Sequence, residues 1–111
     1  MRGLVKLTSL NLDNTAVDDQ GVERLKSLVN LDGLSLARTR TTDAGLVHLR
    51  QLKSLVYLDL EGTAISDSGI DALTALKGLK RLSIRETAIT EEGRKRLRQE
   101  MPSLTIVGSE H

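Results

Sequence analysis

The stretch Leu55–Leu73, LVYLDLEGTAISDSGIDAL, carries two hydrophobic periods in succession. Leu58 and Leu60 alternate with Tyr57, Asp59 and Glu61, the period-two pattern of a strand with one buried face. Ile70 and Leu73, with Leu76 just beyond, lie three apart, as on one stripe of a short helix. Between them, Ser66 stands where a helix N-cap belongs and Asp67 follows it. The serine hydroxyl suits the orphan N–H groups of a first turn, and the carboxylate suits the positive end of the helix dipole.

Working outward, the same unit recurs every 24 residues. Leu7, Leu31, Leu55 and Leu79 form one column; Leu10, Leu34, Leu58 and Leu82 a second; Leu12, Leu36, Leu60 and Ile84 a third. Thr15, Thr39, Thr63 and Thr87 keep the period, as do Gly21, Gly45, Gly69 and Gly93, and Leu25, Leu49, Leu73 and Leu97. Self-similarity at such a spacing signals a stacked repeat, each unit burying its face against the next.

The helix starts repeat too. Asp18, Thr42, Ser66 and Thr90 occupy the N-cap column, followed by Asp19, Asp43, Asp67 and Glu91. Cations gather at the other ends: Arg24 and Lys26, then His48, Arg50 and Lys53, then Lys77. Most of the charge pattern is therefore accounted for by helix electrostatics. The glycine column needs its own cause, because Gly in a helix costs about 1 kcal/mol relative to Ala. It implies that neighbouring first turns meet with no room for a side chain. None of these glycines lies in a phosphate-loop pattern.

The pattern L-x-x-L-x-L-x-x-T resembles a leucine-rich repeat. The 24-residue strand-plus-helix unit is similar to the cysteine-containing and ribonuclease-inhibitor-like subfamilies, and Thr63–Ile70 to bacterial arrays of this type. The resemblance implies an α/β right-handed solenoid with a parallel sheet on the concave face and short helices on the convex face. It also implies a protein-binding, non-catalytic role. One departure is the Thr column, where the family carries Asn or Cys. A Thr hydroxyl can bond backbone within its turn, but a weaker ladder between repeats is expected.

The layout expected is one domain over 1–111: a tail of a preceding repeat at 1–6, repeats at 7–30, 31–54, 55–78 and 79–100, and a terminal strand and cap at 101–111. Met1 falls in the column of Leu25 and Leu4 in that of Leu28. The natural protein is therefore expected to continue N-terminally, and Leu4, Leu7, Leu10 and Leu12 to be poorly covered. Such an end invites homodimerisation or extension of a longer array. At the other end, Leu104 and Ile106 suit a closing strand, reached past the single Pro, Pro102.

Composition narrows the function. There are 111 residues, 39% hydrophobic and 28% charged, with a formal charge of +1. That suits one folded domain and argues against a whole-protein field that draws nucleic acid or anionic lipid. No Cys, Phe or Trp is present, which excludes disulfides, thiolate metal sites, cysteine catalysis and aromatic base-stacking platforms. It also leaves cytoplasm and periplasm undistinguished, with the cytoplasm as the default expectation. No apolar run approaches the ~20 residues of a membrane helix. His48 and His111 are not spaced for a catalytic triad or a metal pair. No cofactor, metal, catalytic residue or small-molecule substrate is expected.

The residues alternating with the buried leucines define the concave face: Ser9, Gly33, Tyr57 and Arg81; Asn11, Ser35, Asp59 and Ser83; Asp13, Ala37, Glu61 and Arg85. Tyr57 is the only aromatic residue, and aromatics and Arg are enriched at binding hot spots. Tyr57, Asp59, Glu61, Arg81 and Arg85 are the candidate partner-binding patch, with Arg81 placed for a cation–π contact and Glu61 beside Arg85. An ordinary solvated face with two surface salt links, each worth ~0–1 kcal/mol, fits the same residues. A third reading gives the basic run Arg94, Lys95, Arg96 and Arg98 a weak affinity for nucleic acid or anionic lipid, offset by Glu91, Glu92 and Glu100.

Overall fold

A computed structural model describes residues 8–107. Five strands, β1 (Ser9–Asn11), β2 (Gly33–Ser35), β3 (Tyr57–Asp59), β4 (Arg81–Ser83) and β5 (Thr105–Val107), form one parallel sheet in sequence order. The register follows the 24-residue period, with Leu10, Leu34, Leu58, Leu82 and Ile106 in line. Strand-to-strand hydrogen bonds continue beyond the strands, as in Leu36 N–H to Asp59 O at 2.8 Å and Arg38 N–H to Glu61 O at 2.7 Å. This is the expected solenoid of strand-and-helix coils.

On the opposite side run α1 (Asp19–Arg24), α2 (Asp43–Leu46), α3 (Ile70–Thr74) and α4 (Glu91–Glu100). The first three are short and share each turn with a 3₁₀ segment, at Leu25–Ser27, Val47–Gln51 and Asp67–Gly69. The N-cap column acts as expected. Asp18 Oδ1 accepts the Gly21 N–H at 3.0 Å, and Thr90 Oγ1 accepts the Gly93 N–H at 3.2 Å. Thr42 and Ser66 cap their turns in the same way.

Leu34, Leu58 and Leu82 are fully buried from the sheet side, and Leu49, Leu73 and Leu97 from the helix side. They form one continuous apolar spine. No buried side-chain nitrogen or oxygen among the described residues lacks a partner, as a close-packed interior requires.

The Thr column bonds as its chemistry allows and does not link repeats: Thr39 Oγ1 donates to Leu36 O at 2.8 Å and Thr63 Oγ1 to Leu60 O at 2.6 Å, each within its own turn. The link is made by the acidic column instead. Asp19, Asp43 and Asp67 each accept the N–H and the hydroxyl of the N-cap residue one repeat on, Thr42, Ser66 and Thr90. At Gly45, Gly69 and Gly93 the glycine column has the same cause. A methyl group on Gly69 would sit 2.6 Å from Asp43 Oδ1 and 2.9 Å from Leu46 Cδ1. Glu91 bonds Arg94 and Arg98 instead.

Each of the first four strands leaves the sheet through a left-handed residue: Asn14 (φ 61°), Arg38 (φ 58°), Gly62 (φ 71°) and Glu86 (φ 59°). That conformation is easy only for glycine, yet three of the four are not glycine.

The N-terminal expectation concerns residues 1–7, which lie outside the described residues, as do 108–111. Leu10 and Leu12, which are described, are half-buried against the core.

Candidate functional site

The concave sheet is built by the pleat. Because successive side chains point to opposite faces, burying Leu58 and Leu60 turns Tyr57, Asp59 and Glu61 outward. The parallel register then sets Ser9, Gly33, Tyr57 and Arg81 in one row across the sheet, and Asn11, Ser35, Asp59 and Ser83 in the next.

Tyr57 stands mid-sheet and half-buried. Its hydroxyl donates to Asp59 Oδ2 at 3.3 Å, and Asp59 Oδ1 accepts the Glu61 N–H at 2.9 Å. Partial burial pushes the Tyr57 phenol above its ordinary value of 10.0, and the charge and hydrogen bond of Asp59 add to the shift, while Arg81 opposes it. The phenol is thus anchored along its own strand.

Glu61 and Arg85 are neighbours across β3 and β4, but the ion pair of Glu61 is made with Arg38 on the other side, at 2.9 Å. The cause is the left-handed turn at Arg38, which delivers its side chain to the Glu61 carboxylate. Arg81 and Arg85 are exposed and form no ion pair among the described residues. The face is therefore divided: carboxylates lie over β1–β3 and unpaired guanidinium groups over β4.

A shallow depression of about 240 Å³ lies between β1 and β3, bordered by Ser9, Asn11, Asp13, Ser35, Tyr57 and Asp59. Gly33 creates it. A side chain there would meet only Ser9 Oγ, at 3.7 Å, so the space over β2 is open. Asp13 closes one side by accepting the Ser35 hydroxyl and, at 2.9 Å, the Ala37 N–H. Sequence reasoning placed Asp13 and Gly33 on this face but did not join them to Tyr57. The signal was a Gly in a row of larger side chains, next to the single aromatic.

The basic run on α4 is largely engaged. Arg94 and Arg98 bond Glu91, and Arg96 bonds Asp71 of the preceding repeat and Glu100. These bonds hold the Glu91 carboxyl below its ordinary value, chiefly through Arg94, and push the Arg96 guanidinium up, chiefly through Glu100. Among the described residues there is no group of three His, Asp or Glu able to hold a metal ion. No helix there is long and apolar enough to cross a membrane. His111 lies outside the described residues. His48 is half-buried on the convex side, away from the concave face.

A family model described as Leucine Rich repeat matches residues 4–26 and 51–73. Among solved structures, a leucine-rich repeat protein of Leptospira interrogans is similar, with a TM-score of 0.69 and 24% identity. The likeness covers 90% of this chain and 25% of that one. A structure of Chaetomium Mex67:Mtr2 subunits is similar with a TM-score of 0.70 and 21% identity, over 93% of this chain and 79% of that one. An internalin of Listeria monocytogenes gives a TM-score of 0.60 and 17% identity, over 92% and 34%. The chain spans about a quarter of the Leptospira protein and about a third of the internalin. No curated protein matches it in sequence. Matched repeats, the in-register parallel sheet and these likenesses agree: the chain carries leucine-rich repeats at 4–26 and 51–73 and has the leucine-rich repeat fold.

Proposed function

We propose that the chain is a non-catalytic interaction module that holds a protein partner on its concave sheet. Leucine-rich repeats generally mediate protein–protein interaction. The observation that carries the reading here is Tyr57: the single aromatic side chain stands half-buried at mid-sheet, beside an open depression and beside arginines with no ion pair. A half-buried aromatic anchor held by a hydrogen bond loses little entropy on binding, which is why such residues dominate interface energies. Arg81 and Arg85 supply charge that a partner can pair with, and Asp59 and Glu61 complete the patch. A standard interface takes about 800 Å² from each partner, which would use most of a sheet spanning roughly 20 Å.

The test is positional. A photo-crosslinking residue at Ser9, on the concave row, should trap the partner, and one at Glu23, on the convex side, should not. Tyr57→Ala with Arg81→Ala should abolish the adduct while circular dichroism stays unchanged. An adduct from Glu23 alone, or binding retained in the double variant, would overturn the reading.

A further inference from the structure

On α4, the arginines of the basic run are bound by carboxylates. The reverse holds elsewhere. Arg50, Lys53 and Lys77, scattered over two repeats in the sequence, come together around one small cavity of about 80 Å³, where the convex turns end and the chain heads back to β3 and β4. Leu55 contributes to its apolar lining and Gly78 brings bare backbone to it. No carboxylate lines it, and none of its three cations forms an ion pair among the described residues.

We infer that this cavity is an anion site, and that its ligand is the phosphate group of a small molecule. Size comes first. A water molecule needs ~10–15 Å³ of such space, so the cavity has room for several waters or for one tetrahedral oxyanion. Charge comes second. Cations at a helix end offset the helix dipole, an effect worth a fraction of a unit charge and confined to the last turn. Three cations from two successive turns exceed it. Chemistry comes third. Arg50 offers a planar fork of donors that matches two phosphate oxygens, and the two lysines offer mobile point charges for the rest. Extended polyanions fit less well, because Glu23 and Asp71 stand exposed on the neighbouring convex turns and interrupt the positive surface. The site is separate from the concave face and does not depend on the protein-binding reading.

The experiment is a ¹H–¹⁵N titration of the chain with inorganic phosphate, against sodium chloride at matched ionic strength. Saturable shifts at the amides of Lys53, Ser54, Lys77 and Gly78, with phosphate but not with chloride, are the expected result. Lys53→Ala with Lys77→Ala should weaken binding by about tenfold or more, as loss of charged hydrogen bonds does. Lys80→Ala with Lys95→Ala removes the same charge outside the cavity and should leave binding unchanged. All four side chains are exposed, and circular dichroism checks that both variants remain folded. Shifts that never saturate, that appear equally with chloride, or that weaken equally in the two double variants would overturn the inference.

Discussion

Asp43 and Ser66 lie 23 residues apart in sequence, yet Asp43 accepts the Ser66 N–H at 2.8 Å and the Ser66 hydroxyl at 2.5 Å. Asp19 with Thr42 and Asp67 with Thr90 repeat the arrangement. A single acidic column therefore ties the helix start of each repeat to the next. It does so where the backbone N–H of the N-cap residue would otherwise lack a protein partner. Charge-assisted bonds of this kind are stronger than neutral ones.

Removing one rung should be costly for an exposed-looking position. Asp43→Ala is expected to lower stability by roughly 2–3 kcal/mol, read as a lower urea midpoint with little change in slope. Asp43→Asn, which keeps one acceptor, should lose less. A loss no larger than that of Glu23→Ala would show that the rung contributes nothing.

The glycine beside each rung should be intolerant for a steric reason. Gly69→Ala gains about 1 kcal/mol of helix propensity but forces its methyl to 2.6 Å from Asp43 Oδ1. The expected net loss is about 1–3 kcal/mol. In an Asp43→Ala background the same change should cost far less, because the two sites share one contact. Gly33→Ala, with only Ser9 Oγ at 3.7 Å, should be near neutral. Thermal unfolding of the four variants decides the point.

Acid should loosen the rung made by Asp67. The Thr90 hydroxyl and then its N–H hold the Asp67 carboxyl below its ordinary value of 3.8. A depressed folded value means that its contribution is present above the unfolded value and disappears as pH falls through the folded one. Wild-type stability should therefore fall as pH drops below about 3.8. Asp67→Asn should be less stable at neutral pH and show a shallower fall. Parallel curves of melting temperature against pH for the two proteins would contradict this.

Tyr57 gives a clean spectroscopic readout, being the only tyrosine. Its phenolate absorbance should rise at a pH above 10.0, because burial and Asp59 both disfavour the anion. Asp59→Asn should move the titration back toward 10.0, and Arg81→Ala should move it further up. Unchanged midpoints in both variants would mean that the hydroxyl is not held by Asp59.

Much of this protein is determined by local pattern. The alternation around Leu58, the three-residue stripe of Ile70 and Leu73, and Ser66 before the helix are each settled by the pleat, the helical period and the cap. A repeat that returns them every 24 residues can stack in one way, so a parallel sheet with Tyr57 on its open face was legible in the sequence. Other features were decided only by stacking. The partner of Asp43 is a hydrogen-bond donor one coil away, and no local rule distinguishes that role from simple helix-end charge. Glu61 pairs with Arg38 and not Arg85 because a left-handed turn aims the arginine. Arg50, Lys53 and Lys77 share a cavity because two coils lie in register. Short-range periodicity dictates which face a side chain takes, whereas its partner depends on what the neighbouring coil sets opposite it.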